Sequence, residues 1–464
     1  MAALEDYLEQ NREQFKADLF ELLKIPSVSN ESKYQGDVVR AAEWMADHFR
    51  QIGLETTLYE TEGFPIVYAE TPPVEGAPTV LVYGHYDVQP TGPDSDWTTK
   101  PFEPDERDGN VYARGATDDK GQMLTHVKSA QAWLATAGSL PLQLKFLIEG
   151  EEEVGSQNLY PFIEENRDLL ACDIAVISDT SQFGPGQPAI TYGLKGIAYF
   201  ELRLTGPKQD LHSGTFGGAL MNPLNALTEM LAALVDEERR VQIPGFYDDV
   251  TTLDDRERSQ LAALPFDEQV FMEQVGVEAV NGEAGYTTLE RRWARPTYDI
   301  HGIWGGYQEE GSKTVLPNHA GAKFSFRLVP DQDPAAITES LESMLQDICP
   351  AGITMELVDM HGAPGVVVPL KSDFMTAATH AIEKGFGHSP LFIREGGSIP
   401  VVNALHDRLG VDTLLLGWGL DDDNTHAPNE KFSLADYFRG IKASTYLWQE
   451  ISKISIEVPE DVGS

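Results

Sequence analysis

The chain contains very little cysteine. Cys172 and Cys349 are the only two among 464 residues, and they are far apart in the sequence. A framework of disulfide bonds is therefore implausible. The N-terminal segment also lacks the basic and apolar regions of a secretion signal. Together these features predict a protein of a reducing compartment, with the cytoplasm as the expected location.

Basic residues are also scarce, since 34 lysine and arginine residues stand against 74 aspartate and glutamate residues, a formal charge of −40. A surface this acidic repels nucleic acids and anionic membranes, so neither is expected as a partner. Long apolar runs are missing too, and no stretch approaches the roughly 18 residues needed to cross a bilayer. The acidic composition fits a highly soluble protein, and it also fits carboxylates that hold metal ions.

The order of the segments predicts an interrupted α/β fold. Before residue 194 and after residue 363, amphipathic helical segments alternate with apolar strands such as "TVLVYG" and "LQLKFLIEG". This pattern is typical of a mostly parallel sheet sandwiched by helices. Between these parts, half-exposed strands and helices indicate an inserted α+β domain with a polar, irregular stretch at about 240–300. The expected domains are 1–193 with 364–464, and 194–363.

Potential ligands for a metal ion follow several predicted strands. Ligands bind at the carboxyl ends of the strands in an open parallel sheet, where loops and helix N-termini converge. One carboxylate, Asp118, instead precedes a helix, where negative charge interacts favourably with the helix dipole. The residues that follow strands are His85, Asp87, Glu151, Glu152, Glu153, Asp179 and His426.

Histidine and carboxylate side chains together suit zinc, with manganese or cobalt as possible substitutes. Two histidines and several carboxylates exceed the needs of one zinc ion, so a pair of ions bridged by one carboxylate is expected. His85 and Asp87 point to the same side of an extended backbone, so Asp87 can fix the tautomer of a metal-binding His85. Each of these residues alone is more often a cap or a solvated side chain, and it is their conjunction that predicts a site.

The motifs also resemble a known enzyme family. The segments "GHYDVQP", "RGATDDKG", "EGEEEVGS", "ISD", "DLHSGTFGG", "REGGSIP" and "THAPNEKF" occur in this order. They resemble the co-catalytic di-zinc metallopeptidases, which include carnosine dipeptidase, cysteinylglycine dipeptidase, glutamate carboxypeptidase and aminoacylase. The resemblance covers almost the whole chain and is closest to the carnosine and cysteinylglycine dipeptidase branch.

The resemblance implies a role for each residue of the predicted metal site. Asp118 is implied as the bridging ligand, Asp87 as the group that orients His85, and Glu152 as the general base. No role follows for Glu151, which occupies a place that is not acidic in every relative. The implied metal ligands are His85, Asp118, Glu153, Asp179 and His426.

For the inserted segment the resemblance implies a lid that also forms a homodimer. His212 is similar to a lid histidine that reaches the partner subunit's site and supports the oxyanion. The segment "REGGSIP", residues 394–400, resembles a glycine-rich loop of the family. Arg327, with Gly397 and Ser398 of this loop, is similar to the group that holds the terminal carboxylate of the substrate.

The expected function is hydrolysis of the peptide bond in dipeptides or other short peptides, by a metal-bridging water that Glu152 activates. An N-acyl-amino-acid deacylase or a glutamate-type carboxypeptidase remains open, because these enzymes share the same metal core. A catalytically silent scaffold is disfavoured, since every implied ligand and the base are present.

Overall fold

The computed structural model describes residues 1–456. The helices are α1 Ala2–Gln10, α2 Arg12–Leu23, α3 Gln35–Gln51, α4 Lys120–Ala137, α5 Leu159–Glu165, α6 Arg167–Leu170, α7 Ser213–Phe216, α8 Pro223–Ala232, α9 Asp255–Ala262, α10 Glu268–Val275, α11 Thr288–Trp293, α12 Pro334–Ile348, α13 Asp373–Phe386, α14 Pro400–Leu409 and α15 Leu434–Ile451.

The strands are β1 Glu55–Tyr59, β2 Ile66–Glu70, β3 Thr79–His85, β4 Asp105–Arg107, β5 Asn110–Tyr112, β6 Gln143–Glu149, β7 Ile174–Ile177, β8 Ala189–Leu194, β9 Gly196–Thr205, β10 Leu211–His212, β11 Thr297–Gly305, β12 Val315–Leu316, β13 His319–Leu328, β14 Thr354–Ala363, β15 Val366–Val367, β16 Leu391–Glu395, β17 Thr413–Gly417 and β18 Lys431–Ser433. Among the described residues, none of the helices has the length and apolar character that a bilayer crossing requires.

The chain forms two compact units. Unit 1 comprises Met1–Tyr192, Val368–Ile393 and the chain from Val401 onward, and unit 2 comprises Gly193–Val367 and Arg394–Pro400. These limits lie within a few residues of 193 and 363. The exception is Arg394–Pro400, which was expected in the domain formed by residues 1–193 and 364–464. This segment clusters with unit 2 because Arg394 pairs with Glu257 and Ser398 accepts a hydrogen bond from Arg327.

Unit 1 contains a mixed sheet with the strand order β1-β2-β6-β3-β7-β17-β8. The four central strands, β6, β3, β7 and β17, are parallel, and the outer strands run antiparallel. Helix α3 packs against β1 and β2, α4 against β3, and α13 against β17. The α/β class with a largely parallel central sheet is therefore confirmed.

The apolar spacing of the N-terminal segment, from Leu4 to Leu23, predicts one amphipathic helix that ends near Pro26, and the structure differs from this in detail. The segment forms α1 and α2, which are separated at Asn11. The Asn11 side chain donates a hydrogen bond to the carbonyl of Tyr7, 2.8 Å away, and so caps the end of α1. Asparagine side chains compete for backbone groups in this way. The apolar periodicity of the segment does not indicate the break between the two helices.

Unit 2 contains a four-stranded antiparallel sheet with the order β11-β13-β9-β14. One face carries α8 and α12, and the alternation along β9 sends Phe200 and Leu202 into this core while Glu201 and Arg203 face outward. Phe324 and Phe326 of β13 are both fully buried, and their rings meet edge to face at 5.9 Å. Aromatic burial of this kind supplies most of the stability of a small core.

The stretch at 240–300 was expected to be irregular, but it contains the short helices α9, α10 and α11. The helices are polar, so hydrophobic periodicity does not reveal them. Their N-cap residues, Asp254, Asp267 and Thr287, accept hydrogen bonds from backbone N–H groups of the first turn. Such caps stabilise a helix terminus by about 1 kcal/mol each.

We expect Phe324→Ala to lower the free energy of unfolding by about 3–5 kcal/mol, because it leaves a cavity among the aromatic rings of the unit 2 core. Denaturant-induced unfolding measures the loss. Ile300→Ala is the control, because Ile300 is 43% exposed and its truncation should change stability by no more than about 0.5 kcal/mol. Equal losses in the two variants would contradict this description of the core.

Candidate active site

The site lies where the parallel strands of unit 1 end. Strand β3 ends at His85, β6 ends three residues before Glu152, and β7 ends two residues before Asp179. Because β6, β3, β7 and β17 are adjacent and parallel, their carboxyl ends share one edge of the sheet. His426 follows β17, and Asp118 lies just before α4. The topology thus brings these side chains together, as the sequence predicts.

Two groups of possible metal ligands share one residue. The first group contains His85, Asp118 and Asp179, and the second contains Asp118, Glu153 and His426. Within each group the ligand atoms all lie within 4.8 Å of one another.

The distances place Asp118 between the two groups. Its Oδ1 lies 3.2 Å from His85 Nε2, and its Oδ2 lies 2.9 Å from His426 Nε2. Asp179 Oδ2 is 3.9 Å from His85 Nε2, and Glu153 Oε2 is 3.5 Å from His426 Nε2. One carboxylate that offers an oxygen to each side is the arrangement that a bridged pair of ions needs.

Two polar atoms in the site lack hydrogen bonds although they are buried. Within residues 1–456, neither His85 Nε2 nor Glu153 Oε1 has a hydrogen-bond partner. A buried polar atom without a partner costs free energy, so such atoms require an explanation. Imidazole nitrogen and carboxylate oxygen are both ligands of zinc, and a cation bound in each group would satisfy one of these atoms. The residues present therefore fit a pair of divalent cations.

The electrostatics of the site also favour bound cations. Burial raises the pKa of Glu152 to about 7, and the charge of Asp118 adds to this effect. The pKa values of Glu153 and Asp179 lie well above the usual range for the same two reasons. Burial also acts on Asp118, but the two neighbouring histidines, His426 and His85, outweigh it and hold its pKa below the usual value.

Asp87 has a wider role than the sequence predicts. Its Oδ1 lies 3.3 Å from His85 Nδ1, consistent with the predicted support of that ring, and its backbone carbonyl lies 3.1 Å from the same nitrogen. In addition, its two carboxylate oxygens accept the backbone N–H groups of Glu152 and Glu153, each at 3.2 Å. Asp87 therefore holds the histidine and the glutamate turn in fixed relative positions.

The three consecutive glutamates have different surroundings. Glu151 accepts a hydrogen bond from Asn158 at 2.7 Å, which supports the start of α5. Glu153 accepts one from Gln89 at 2.7 Å and belongs to the second ligand group. Neither ligand group in the described chain includes Glu152. Glu151 thus makes a structural contact, and Glu152 lies beside the possible ligand Glu153 without belonging to either group.

Glu430 lies in the motif "THAPNEKF" but is not among the predicted site residues. It is fully buried, and its carboxylate accepts hydrogen bonds from Arg114 Nη1 at 2.6 Å and from Gly115 N and Thr117 N, each at 3.0 Å. The backbone N–H of Asp118 donates to it at 3.2 Å. Glu430 thus fixes the loop that presents Asp118. Its position four residues after His426 was the signal in the sequence that could have indicated a role near the site.

Unit 2 contains the remaining predicted residues. Arg327 lies on β13, and its Nη1 donates a hydrogen bond to Ser398 Oγ at 3.2 Å. Gly397 precedes Ser398 in the same loop, and an added Cβ there would meet no atom within 4 Å. His212 is exposed on β10, where it pairs with Val315 of β12. Arg327 and Ser398 are thus brought together as expected.

The fold and the site define a class of protein: an α/β protein with two adjoining groups of possible metal ligands that share a carboxylate. Comparison with known sequences agrees, because residues 81–450 match the Peptidase family M20/M25/M40. The chain belongs to this family of metallopeptidases.

Individual relatives cover nearly the whole chain. The Cys-Gly metallodipeptidase of Schizosaccharomyces pombe is 31% identical over 97% of this chain and 98% of its own length. The human Beta-Ala-His dipeptidase is 32% identical, over 97% of this chain and 92% of its own length. The crystal structure of human carnosine dipeptidase 1 superposes with a TM-score of 0.87 and 31% identity, covering 97% of this chain and 98% of that one. The predicted family and branch are therefore confirmed.

We expect Glu430→Ala to destabilise the metal-free protein by about 3–5 kcal/mol, because it leaves the Arg114 guanidinium buried without its anion. Denaturant-induced unfolding provides the measurement. Glu103→Ala is the control: its ion pair with Lys100 joins side chains that are each 67% exposed, so the loss should stay below about 1 kcal/mol. A loss for Glu430→Ala no larger than that of the control would contradict the assignment.

Proposed function

We propose that this protein is a dipeptidase that uses two divalent metal ions. The observation that carries the proposal is the shared carboxylate, with Asp118 oxygens 3.2 Å from His85 Nε2 and 2.9 Å from His426 Nε2. Relatives with 31–32% identity over most of the chain have names that specify hydrolysis of Cys-Gly and Beta-Ala-His. Dipeptides are accordingly the proposed substrate class.

His85 and Asp179 would hold one ion, Glu153 and His426 the other, and Asp118 both. Zinc is the proposed metal because the ligands combine imidazole with carboxylate, and manganese or cobalt suits the same set. When bound, the ions polarise the scissile carbonyl and lower the pKa of a nearby water to about 7.

Glu152 is proposed as the general base. A proton shuttle must lie close to the metal ligands without being one of them, and Glu152 meets this condition beside Glu153. Asp87 restrains its backbone, so the carboxylate has a defined place from which to accept the proton of the attacking water. The same carboxyl group then donates that proton to the leaving amine.

The substrate's terminal carboxylate is proposed to bind at Arg327, Gly397 and Ser398. Arg327 supplies a planar fork of N–H donors that suits a carboxylate. The Ser398 hydroxyl already lies within hydrogen-bond distance of Arg327, so both can contact one anion. His212 is proposed to support the oxyanion, in agreement with the family resemblance.

Two further expectations belong to the same proposal. A homodimer through unit 2 would follow from the resemblance of this unit to a lid and dimerisation domain. A cytoplasmic location is also proposed, and the two free cysteines, Cys172 and Cys349, support it.

Peptidases that remove one residue from longer chains are the main alternative. A metallo-carboxypeptidase from Sulfolobus solfataricus has a crystal structure with a TM-score of 0.85 and 32% identity, covering 95% of this chain and 99% of that one. A deacylase acting on N-acyl amino acids would use the same ligands.

We expect Glu152→Gln to lower kcat by about 100- to 10,000-fold, because the amide cannot accept the proton. Bound metal, measured by elemental analysis, should remain at two ions per chain. Glu151→Gln is the matched control, since it makes the same change one residue away at a side chain that serves Asn158. Retained activity in Glu152→Gln, or an equal loss in the control, would contradict the assignment of the base.

A substrate panel separates the candidate activities. The zinc-loaded protein should hydrolyse the dipeptides Cys-Gly, Beta-Ala-His and Ala-Gly with higher kcat/KM than tripeptides or N-acetyl amino acids. Removal of metal by a chelator should abolish turnover, and added zinc should restore it. Turnover of N-acetyl amino acids alone would identify a deacylase, and a preference for longer peptides would identify a carboxypeptidase.

A further inference from the structure

Lys195 is a buried cation that the proposed reaction does not use. It lies in unit 2 between β8 and β9, and only 2% of it is exposed. Its Nζ donates a hydrogen bond to the carbonyl of Arg291 in the last turn of α11, at 2.9 Å. A lysine at this position interacts favourably with the C-terminal end of a helix.

The backbone of Lys195 contacts the glycine-rich loop. Its N–H donates to the carbonyl of Glu395 at 3.3 Å. Glu395 lies three residues before Ser398, which accepts the hydrogen bond from Arg327. A single residue therefore joins the end of α11 to the loop that carries part of the proposed carboxylate site.

The helices α9 and α11 support the same loop from a second side. Arg394, at the start of the loop, forms an ion pair with Glu257 of α9. Gly396 lies so close to α11 that an added Cβ would be 3.0 Å from the Arg292 carbonyl. The two helices are themselves linked by the ion pair between Arg258 and Glu290, at 2.6 Å.

The surroundings of Lys195 are rich in positive charge. Burial lowers its pKa to about 7, and Arg327, Arg292 and Arg295 add repulsion that Asp299 offsets in part. Burial likewise lowers the pKa of Arg327. Arg295 is paired with Glu283 at 2.7 Å, so Arg327 is the positive group that acts most strongly on Lys195. Positive groups gathered in this way favour an anionic ligand.

We propose that Lys195 is a positioning residue for the substrate's carboxylate, and that α9 and α11 form the brace on which the segment Arg394–Ser398, the end of β16 and the loop after it, rests. Lys195 fixes the loop between α11 and β9, so that Ser398 meets Arg327 at the right distance. In its protonated form Lys195 also adds to the attraction for a carboxylate at Arg327. This inference rests on the proposed dipeptidase function and assigns a task to the helical segment that sequence analysis left without one.

The test compares ligands with and without a terminal charge. In zinc-loaded Lys195→Met, KM for Ala-Gly should rise about tenfold while kcat stays within about twofold, because ground-state and transition-state binding weaken together. Inhibition by Ala-Gly amide, which lacks the carboxylate, should stay within about twofold of the wild-type value. Lys195→Arg retains the charge and a donor and should restore most of the affinity.

Two further variants complete the design. Lys323→Met is the matched control, because it removes a lysine from the same unit whose nearest carboxylate is that of Glu201, at 3.7 Å, and KM should not change. Glu257→Gln weakens the brace on its other side and should raise KM for Ala-Gly several-fold, which keeps the test decisive if Lys195→Met fails to fold.

The possible failures are distinguishable. An unchanged KM in folded Lys195→Met, or an equal weakening of Ala-Gly and its amide, would overturn the assignment of Lys195 alone. If Lys195→Met does not fold, an unchanged KM for Ala-Gly in Glu257→Gln overturns the proposed brace and the assignment of Lys195 with it. Absence of Ala-Gly hydrolysis by the wild-type protein would instead overturn the dipeptidase proposal, and the assignment of Lys195 with it.

Discussion

The structure of the site depends on burying several carboxylates at one edge of a sheet. Glu152, Glu153 and Asp179 lie close enough to Asp118 that its charge raises their pKa values. An uncompensated cluster of this kind is costly, because burial penalises each charge and like charges repel. Two histidines offset only part of the negative charge. The arrangement therefore makes physical sense as a receptor for divalent cations.

A second set of contacts keeps the ligands in place. Asp87 accepts the backbone N–H groups of Glu152 and Glu153, while Glu430 accepts four donors around the Asp118 loop. Asp423 accepts the Thr117 hydroxyl at 2.9 Å and so supports the same loop. Supporting residues of this type determine how precisely metal ligands are oriented. Part of the strongly acidic composition thus serves the internal architecture as well as solubility.

The sequence predicts the residues that follow strands, because strand periodicity and parallel topology suffice to place His85, Asp179 and His426 at one edge. It did not identify Glu430, since a buried acceptor of loop N–H groups looks like any polar loop residue. The helices α9, α10 and α11 were not predicted either, because with six to eight residues each they are too short to show a clear apolar period. The role of Glu151 also could not be predicted, because it depends on a hydrogen bond with Asn158 that only the structure shows.

The central claim is that Asp118 bridges two metal ions. Anomalous X-ray diffraction at the zinc edge, from crystals of the zinc-loaded protein, tests this claim directly. The account predicts two peaks about 3.5–4 Å apart, one near His85 and Asp179 and the other near Glu153 and His426, with the Asp118 carboxylate between them. A single peak, or peaks that do not adjoin Asp118, would contradict it.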